Sequence, residues 1–195
     1  MAAITNDMLW ERMSGAVEAI RKRLDRATAA LDGAGVSYAV VDGNAVAVHV
    51  GLVDRGAVRN TRDIDLLLRR ADLAAATAAL QRAGFEPAHS FGVTMFLDGP
   101  QSRPSESIHI VFADEKVQPD YPLATPDVSE AERPTTFAVL ALEPLVRMKL
   151  TSFRLKDRVH LQDLVQVGLV DQSWCERFPQ PLSERLREIV ANPDA

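Results

Sequence analysis

Two carboxylates set the chemistry this chain can offer. Asp63 and Asp65 stand in the run Asn60-Thr61-Arg62-Asp63-Ile64-Asp65-Leu66-Leu67-Leu68. A strand places alternate side chains on opposite faces. Asp63 and Asp65 would then share one face while Ile64 and Leu66 enter a core. Their Cα atoms would lie roughly 7 Å apart along the strand. Side chains of that reach can converge on one divalent cation, and Mg²⁺ takes hard oxygen ligands of this kind. Taken alone, the pattern is equally a strand mouth with two solvated acids.

A second element lies upstream. Val40-Val41-Asp42-Gly43-Asn44-Ala45-Val46-Ala47 reads as a strand, a turn with glycine, a small polar residue and a helix. Glycine permits close backbone approach, and a helix N-terminus favours phosphate. A plain strand-to-helix turn that needs glycine gives the same pattern. Downstream, Arg147, Lys149, Arg154, Lys156 and Arg158 concentrate positive charge, with only Asp157 among them. In an acidic chain that is a local anion-site candidate. It is also what a helix corner with snorkelling bases looks like.

These groups must be positioned by the elements around them. Trp10, Met13, Val17, Ile20, Leu24, Ala27 and Leu31 follow helical spacing and predict one long first helix with a buried stripe, capped by Asn6 or Asp7 and stopped by Gly33 or Gly35. Its charged residues Arg21, Lys22, Arg23, Asp25 and Arg26 read as solvated. Residues 37–41 and 63–68 read as strands, with a short helix over 45–50 between them. Asp72 is a candidate N-cap for a helix over 73–83. Strands follow over 85–88, 93–97 and 107–112. Residues 118–134 carry Pro119, Pro122, Pro126 and Pro134 and predict an extended connector. Helices over 145–153, 158–167 (capped by Asp157) and 181–190 complete the chain, with a short one capped by Asp171 around Trp174. The expectation is one α+β domain over 1–195. It comprises an N-terminal helix over 1–35, a mixed core of about four or five strands over 36–117, a connector over 118–136 and a helical part over 137–195.

Composition excludes several classes. The 195 residues are 47% hydrophobic and 25% charged, with net charge −5. That supports a folded core and argues against a general nucleic-acid coat. No apolar run is long enough for a transmembrane helix, and the first residues lack a signal-peptide pattern. The expected compartment is therefore the cytoplasm, without membrane partners. The single cysteine, Cys175, makes no internal disulfide and reads as a packed apolar residue.

In their order, the three elements resemble the nucleotidyltransferase superfamily with the DNA polymerase β-type fold. The nearest resemblance is to the bacterial subgroup related to abortive-infection AbiEii-like toxin nucleotidyltransferases. Gly43-Asn44 matches the family turn, Thr61-Arg62-Asp63-Ile64-Asp65 its strand, and Lys149…Lys156-Asp157…Asp163 its helical motif. The resemblance covers residues 36–170. It implies a nucleotidyltransferase-type mixed sheet with flanking helices and a helical C-terminal part. It implies Mg²⁺ on Asp63 and Asp65, with Gly43, Asn44, Thr61, Arg62, Lys149 and Lys156 about an NTP such as ATP. The implied reaction transfers a nucleoside monophosphate to a hydroxyl on RNA (tRNA among them), protein or a small molecule. A partner protein, as in toxin–antitoxin pairs, would be in keeping with the subgroup; the oligomeric state stays open.

Two positions depart from the family pattern. Asn44 stands where a second small Gly or Ser is usual. Many active members carry a third carboxylate on a later strand, and the matching position in Ser107-Ile108-His109-Ile110 is His109. Histidine there can act as a general base. It can equally mark a catalytically silent, nucleotide-binding or protein-interaction member. Glu106 and Asp114 are nearby acids in poor register. His49 reads as a satisfied core histidine. His160 and Asp163, one helical turn apart, read as surface hydrogen-bonding partners.

Overall fold

The computed structural model describes residues 5–90, 92–99, 102 and 107–192. Glu106, weighed above as a substitute acid, lies outside them. The element that carries the two acids is central. β2 (Ile64–Leu68) has Ile64, Leu66, Leu67 and Leu68 fully buried, because helices cover the sheet and leave only the Asp65 end accessible. On one side, β2 pairs antiparallel with β1 (Tyr38–Val41), and Val41 lies opposite Asp65. On the other, it pairs parallel with β5 (Ile108–Phe112), and Asp65 lies opposite His109. β3 (Glu86–Ser90) and β4 (Val93–Leu97) extend that side as an antiparallel hairpin. The full sheet has seven strands in the order β3-β4-β5-β2-β1-β7-β6.

The two strands beyond the expected five come from and follow the connector. β6 (Ala131–Glu132) pairs with β7 (Val139–Leu140), which runs parallel to β1. Two-residue strands leave no alternating pattern to read. Against the expectation of a plain extended connector, the rest of it is both packed and pinned: Val128 lies in the core with Leu123 against it, and Arg69, just past β2, donates to both carboxylate oxygens of Asp127 at 2.8 and 2.6 Å.

Helices cover the sheet. α1 (Asn6–Gly33) ends where expected, and Gly35 takes the left-handed φ of +66° that the exit requires. Its stripe is only half buried, against expectation. Leu24, Ala27 and Leu31 enter the core, while Trp10, Met13 and Val17 are 63%, 51% and 40% exposed. The helix is about 42 Å long at 1.5 Å per residue and overruns a sheet of short strands. Arg23, expected in solvent, is buried and paired with Asp98, which Arg26 also contacts.

α2 (Asp42–Val53) is longer than the short helix expected, because it begins directly at the end of β1. α3 (Leu73–Arg82) follows its predicted range, but Asp72 makes no side-chain cap bond. α4 (Leu142–Ser152) and α5 (Leu155–Gln166) both start three residues before their expected positions. Asp157 is therefore not the N-cap. It lies in the first turn and accepts the Arg154 backbone N–H at 3.1 Å, capping from within. Asp171 does cap the 3₁₀ turn around Trp174, accepting from the Ser173 N–H at 2.8 Å. α6 (Leu182–Ala191) closes the fold. Leu145, Leu161, Leu164, Leu186 and Cys175 from this region share one apolar core with Ala45, Ile64 and Ile108.

Candidate active site

Antiparallel β1 and parallel β5 bring three ends together. The C-terminal end of β1 and the N-terminal ends of β2 and β5 meet at one edge of the sheet. The Asp63–Asp65 acids, the Gly43–Asn44 turn and His109 all fall there. Asp63 and Asp65 flank fully buried Ile64 and are themselves half-buried, as alternation along a strand requires. Among the described residues the Asp63 carboxylate accepts no hydrogen bond and makes no ion pair. Asp65 Oδ1 lies 3.7 Å from His109 Nδ1. The other imidazole nitrogen, Nε2, lies 3.0 Å from Ser107 Oγ. One ring edge is thus held by a hydroxyl while the other faces the acid.

The turn is built onto the acid strand. Asn44 Nδ2 donates to the Asp63 carbonyl at 2.6 Å, which gives the unusual Asn44 a structural task that a second glycine could not perform. A Cβ on Gly43 would lie 2.9 Å from both Cβ and Oγ1 of Thr61. Glycine is required there by the approach of Thr61, a contact between two of the expected site residues. Arg62 is exposed and makes no ion pair among the described residues.

The basic corner behaves differently from a row of free cations. Lys149 is 2% exposed, and its ammonium bonds both Asp42 and Asp157, the latter at 3.0 Å. Contact between Lys149 and a phosphate would require both ion pairs to open. Lys156, half exposed, donates to Asp42 Oδ2 at 2.9 Å. Arg154, also half exposed, bonds Asp157 at 2.7 Å and approaches Asp42 at 3.7 Å. Asp42 adopts φ +55°, an uncommon conformation that aims its carboxylate at these bases. Burial pulls the Lys149 ammonium down from 10.5 to about 8, and Asp157 opposes that pull. Burial would raise the Asp157 carboxyl, but Arg154, Lys149 and Ser152 hold it well below the usual carboxylate range.

His160 joins this cluster rather than Asp163. Its Nδ1 is buried without a hydrogen-bond partner, 3.5 Å from Asp42 Oδ1. Burial first, and then Lys149, lower its pKa to about 4, so it is neutral at pH 7. Asp42, Asp157 and His160 offer ligand atoms within 4.8 Å of one another. The Lys149 ammonium already bridges the two carboxylates and serves as their cation. Asp163 instead accepts from Arg59 at 2.7 Å. His49 is a core histidine bonded to the Leu140 carbonyl at 2.9 Å, and Cys175 is packed with its thiol pushed up by burial.

Asp42, Arg59 and Ser107 are residues around the site that the sequence does not mark, whereas Arg154 stands in the basic run and His160 beside Asp163. Asp42 offered only its place at the strand-to-helix junction, and its partners lie 107 and 114 residues away.

No family model matches the chain, and no curated protein matches it. Solved structures do. The antibiotic-resistance factor ANT(2'')-Ia, in its solution structure, superposes with TM-score 0.52 at 12% identity, over 88% of this chain and 90% of that one. An antigenic nucleotidyltransferase-like protein from Paracoccidioides brasiliensis superposes with TM-score 0.52 at 18% identity, over 87% of each chain. The fold is therefore of the nucleotidyltransferase type: a mixed sheet with flanking helices. Among the described residues no helix is long and apolar enough to cross a membrane.

Two outcomes follow from the ion cluster. Removing one partner of a buried pair leaves an uncompensated charge, at a cost of about 3–5 kcal/mol. Lys149→Ala should lose stability on that scale in urea unfolding, whereas Lys156→Ala, at a half-exposed position, should lose far less. The second outcome concerns acid. His160 binds its proton less readily folded than unfolded, so folding stability should fall as pH drops from 6.5 toward 4. In His160→Gln that part of the pH dependence should vanish, leaving the loss below about pH 4 as carboxylates such as Asp157 are protonated.

Proposed function

We propose that this protein is a Mg²⁺-dependent nucleotidyltransferase, related to the AbiEii-like toxin enzymes. It moves a nucleoside monophosphate from an NTP, ATP among them, to a hydroxyl on RNA, protein or a small molecule. The cytoplasm, where NTP and Mg²⁺ abound, is its expected compartment, and a partner protein would accord with the subgroup. The observation that carries the reading is the register of three strands. It sets Asp65 opposite His109 and Val41, while the Asn44 side chain ties the Asp63 backbone to the Gly43–Asn44 turn.

The donor set fits the ion. Asp63 and Asp65 offer hard carboxylate oxygens on one strand face, and the Asp63 carboxylate has no competing partner among the described residues. Mg²⁺ held there would neutralise phosphate charge and polarise the α-phosphorus. The remaining work falls to the chain. The backbone of Gly43 and Asn44, at the start of α2, cradles phosphate oxygens. Arg62 and the half-exposed Lys156 supply cations at the rim, and Lys149 acts from behind through Asp42 and Asp157. His109 Nδ1, facing the acids, accepts the proton of the acceptor hydroxyl. The hydroxyl oxygen then bonds to the α-phosphorus as the bond to the β-phosphate's bridging oxygen breaks, and pyrophosphate leaves.

The test has two arms. In thermal melts, Mg²⁺ with NTP should raise the melting temperature more than either alone. Asp63→Asn combined with Asp65→Asn should abolish that synergy; retention of the full shift would move the metal elsewhere. In transfer assays with labelled NTPs and RNA, protein and small-molecule hydroxyl acceptors, His109→Ala should reduce product by about a hundredfold or more. His109→Asp should retain it. The silent-member reading rests on that same histidine, which stands in place of the third carboxylate. An inert wild type made active by His109→Asp would establish it.

A further inference from the structure

The exposed half of α1 is patterned for a second copy of itself. Trp10, Met13, Val17 and Ile20 recur at intervals of three, four and three, the seam spacing of a coiled coil; Trp10, Met13 and Val17 are exposed, and Ile20 is partly covered by the chain's own core. The pattern is symmetric about residue 15. Laid antiparallel on a second copy, Trp10 meets the second copy's Ile20, and Met13 meets its Val17. Each large residue faces an aliphatic one, and the remaining two layers follow by symmetry.

Three further features agree with that register. Residues flanking an antiparallel seam face their own kind, which sets Asp7 beside Arg21 of the second copy, twice over. Among the described residues Arg21 is exposed and bonds Glu18 at 2.9 and 2.8 Å and Asp25 at 3.4 Å, exposed pairs on its own helix that exchange at little cost. At the middle of the seam, Ser14 meets Ser14 and Ala16 meets Ala16, side chains small enough for close approach. The lengths also match. The register ends the second copy's helix, which begins at Asn6, opposite Leu24. Leu24 is the first stripe residue that the chain's own core buries, to 6% exposure. The partner helix thus covers the part of the stripe that the body leaves open and ends one turn past Ile20, where the body has begun to cover the stripe.

We propose that the protein forms a symmetric dimer through antiparallel pairing of residues 6–24 of α1. This is independent of the catalytic reading, since none of these residues borders the acid strand.

Light scattering on the full chain across a concentration series tests it. The wild type should reach twice the chain mass. Met13→Glu with Val17→Glu should remain monomeric while far-UV circular dichroism stays that of the folded protein. Charge reversal tests the register. Asp7→Arg alone and Arg21→Asp alone should each weaken the dimer by about tenfold. The two together should restore it, because the pairs re-form with opposite polarity. A wild type monomeric at every concentration overturns the proposal, as does a dimer that survives both glutamates. A double reversal that fails to recover overturns the antiparallel register.

Discussion

The buried contact of Lys149 with Asp42 and Asp157 is the constraint around which the site is assembled. An ammonium taken out of water is costly, and so are two carboxylates. The arrangement holds because every member has more than one partner. Asp157 also accepts from Ser152 at 2.8 Å and from Arg154, and Asp42 also accepts from Lys156. Such a cluster is poor at raising net stability and good at fixing geometry, because any displacement strands a charge in a low-dielectric setting. It joins the first residue of α2 to the end of α4 and the start of α5. The turn that leads to the acid strand is thereby locked to the helical C-terminal part.

The second join is steric. Gly43 and Thr61 lie closer than any side chain on residue 43 would allow, and Asn44 holds the Asp63 carbonyl. The loop entering β2 and the turn leaving β1 therefore move together. Through Asp42, that unit is tied to Arg154, just before α5, and to Lys156 in its first turn. His109 is set by a third and separate means, the strand register, with Ser107 fixing its ring.

Much of this could be read from the chain because it was local. The Asp63–Ile64–Asp65 alternation foretold which side chains are buried, and the family pattern marked position 109, which the strand register sets beside position 65. The strands and the helical C-terminal part followed from periodicity, and the mixed sheet from the family resemblance. What escaped depended on distance along the chain. The stripe on α1 is continuous in sequence, but whether Trp10 or Leu24 is covered depends on how far the sheet extends beneath it. The burial of Lys149 could not be read, because nothing near it in sequence showed that Asp42 would pair with it. The acid at 157 looked like an N-cap because the three residues before it, Arg154, Leu155 and Lys156, carry no sign that the helix has already begun. β6 and β7 are too short to carry a signal.

The sequence spans of these contacts imply an order of assembly. Asp42 meets its lysines across 107 and 114 residues, and Arg59 meets Asp163 across 104. Contacts of that span cost the most in loop entropy, though each doubling of span adds only about 0.6 kcal/mol, and none of them can form before the C-terminal helices have been made. During synthesis the sheet's central strands can pair well before α4 and α5 exist, since β1, β2 and β5 are complete by Phe112. Until then Asp42, Asp63 and Asp65 stand at one edge of a nascent sheet with no cation from the C-terminal helices to balance them. The chain thus finishes its site only when its last third docks, and a ribosome-bound fragment would hold the acids without the bases that complete them.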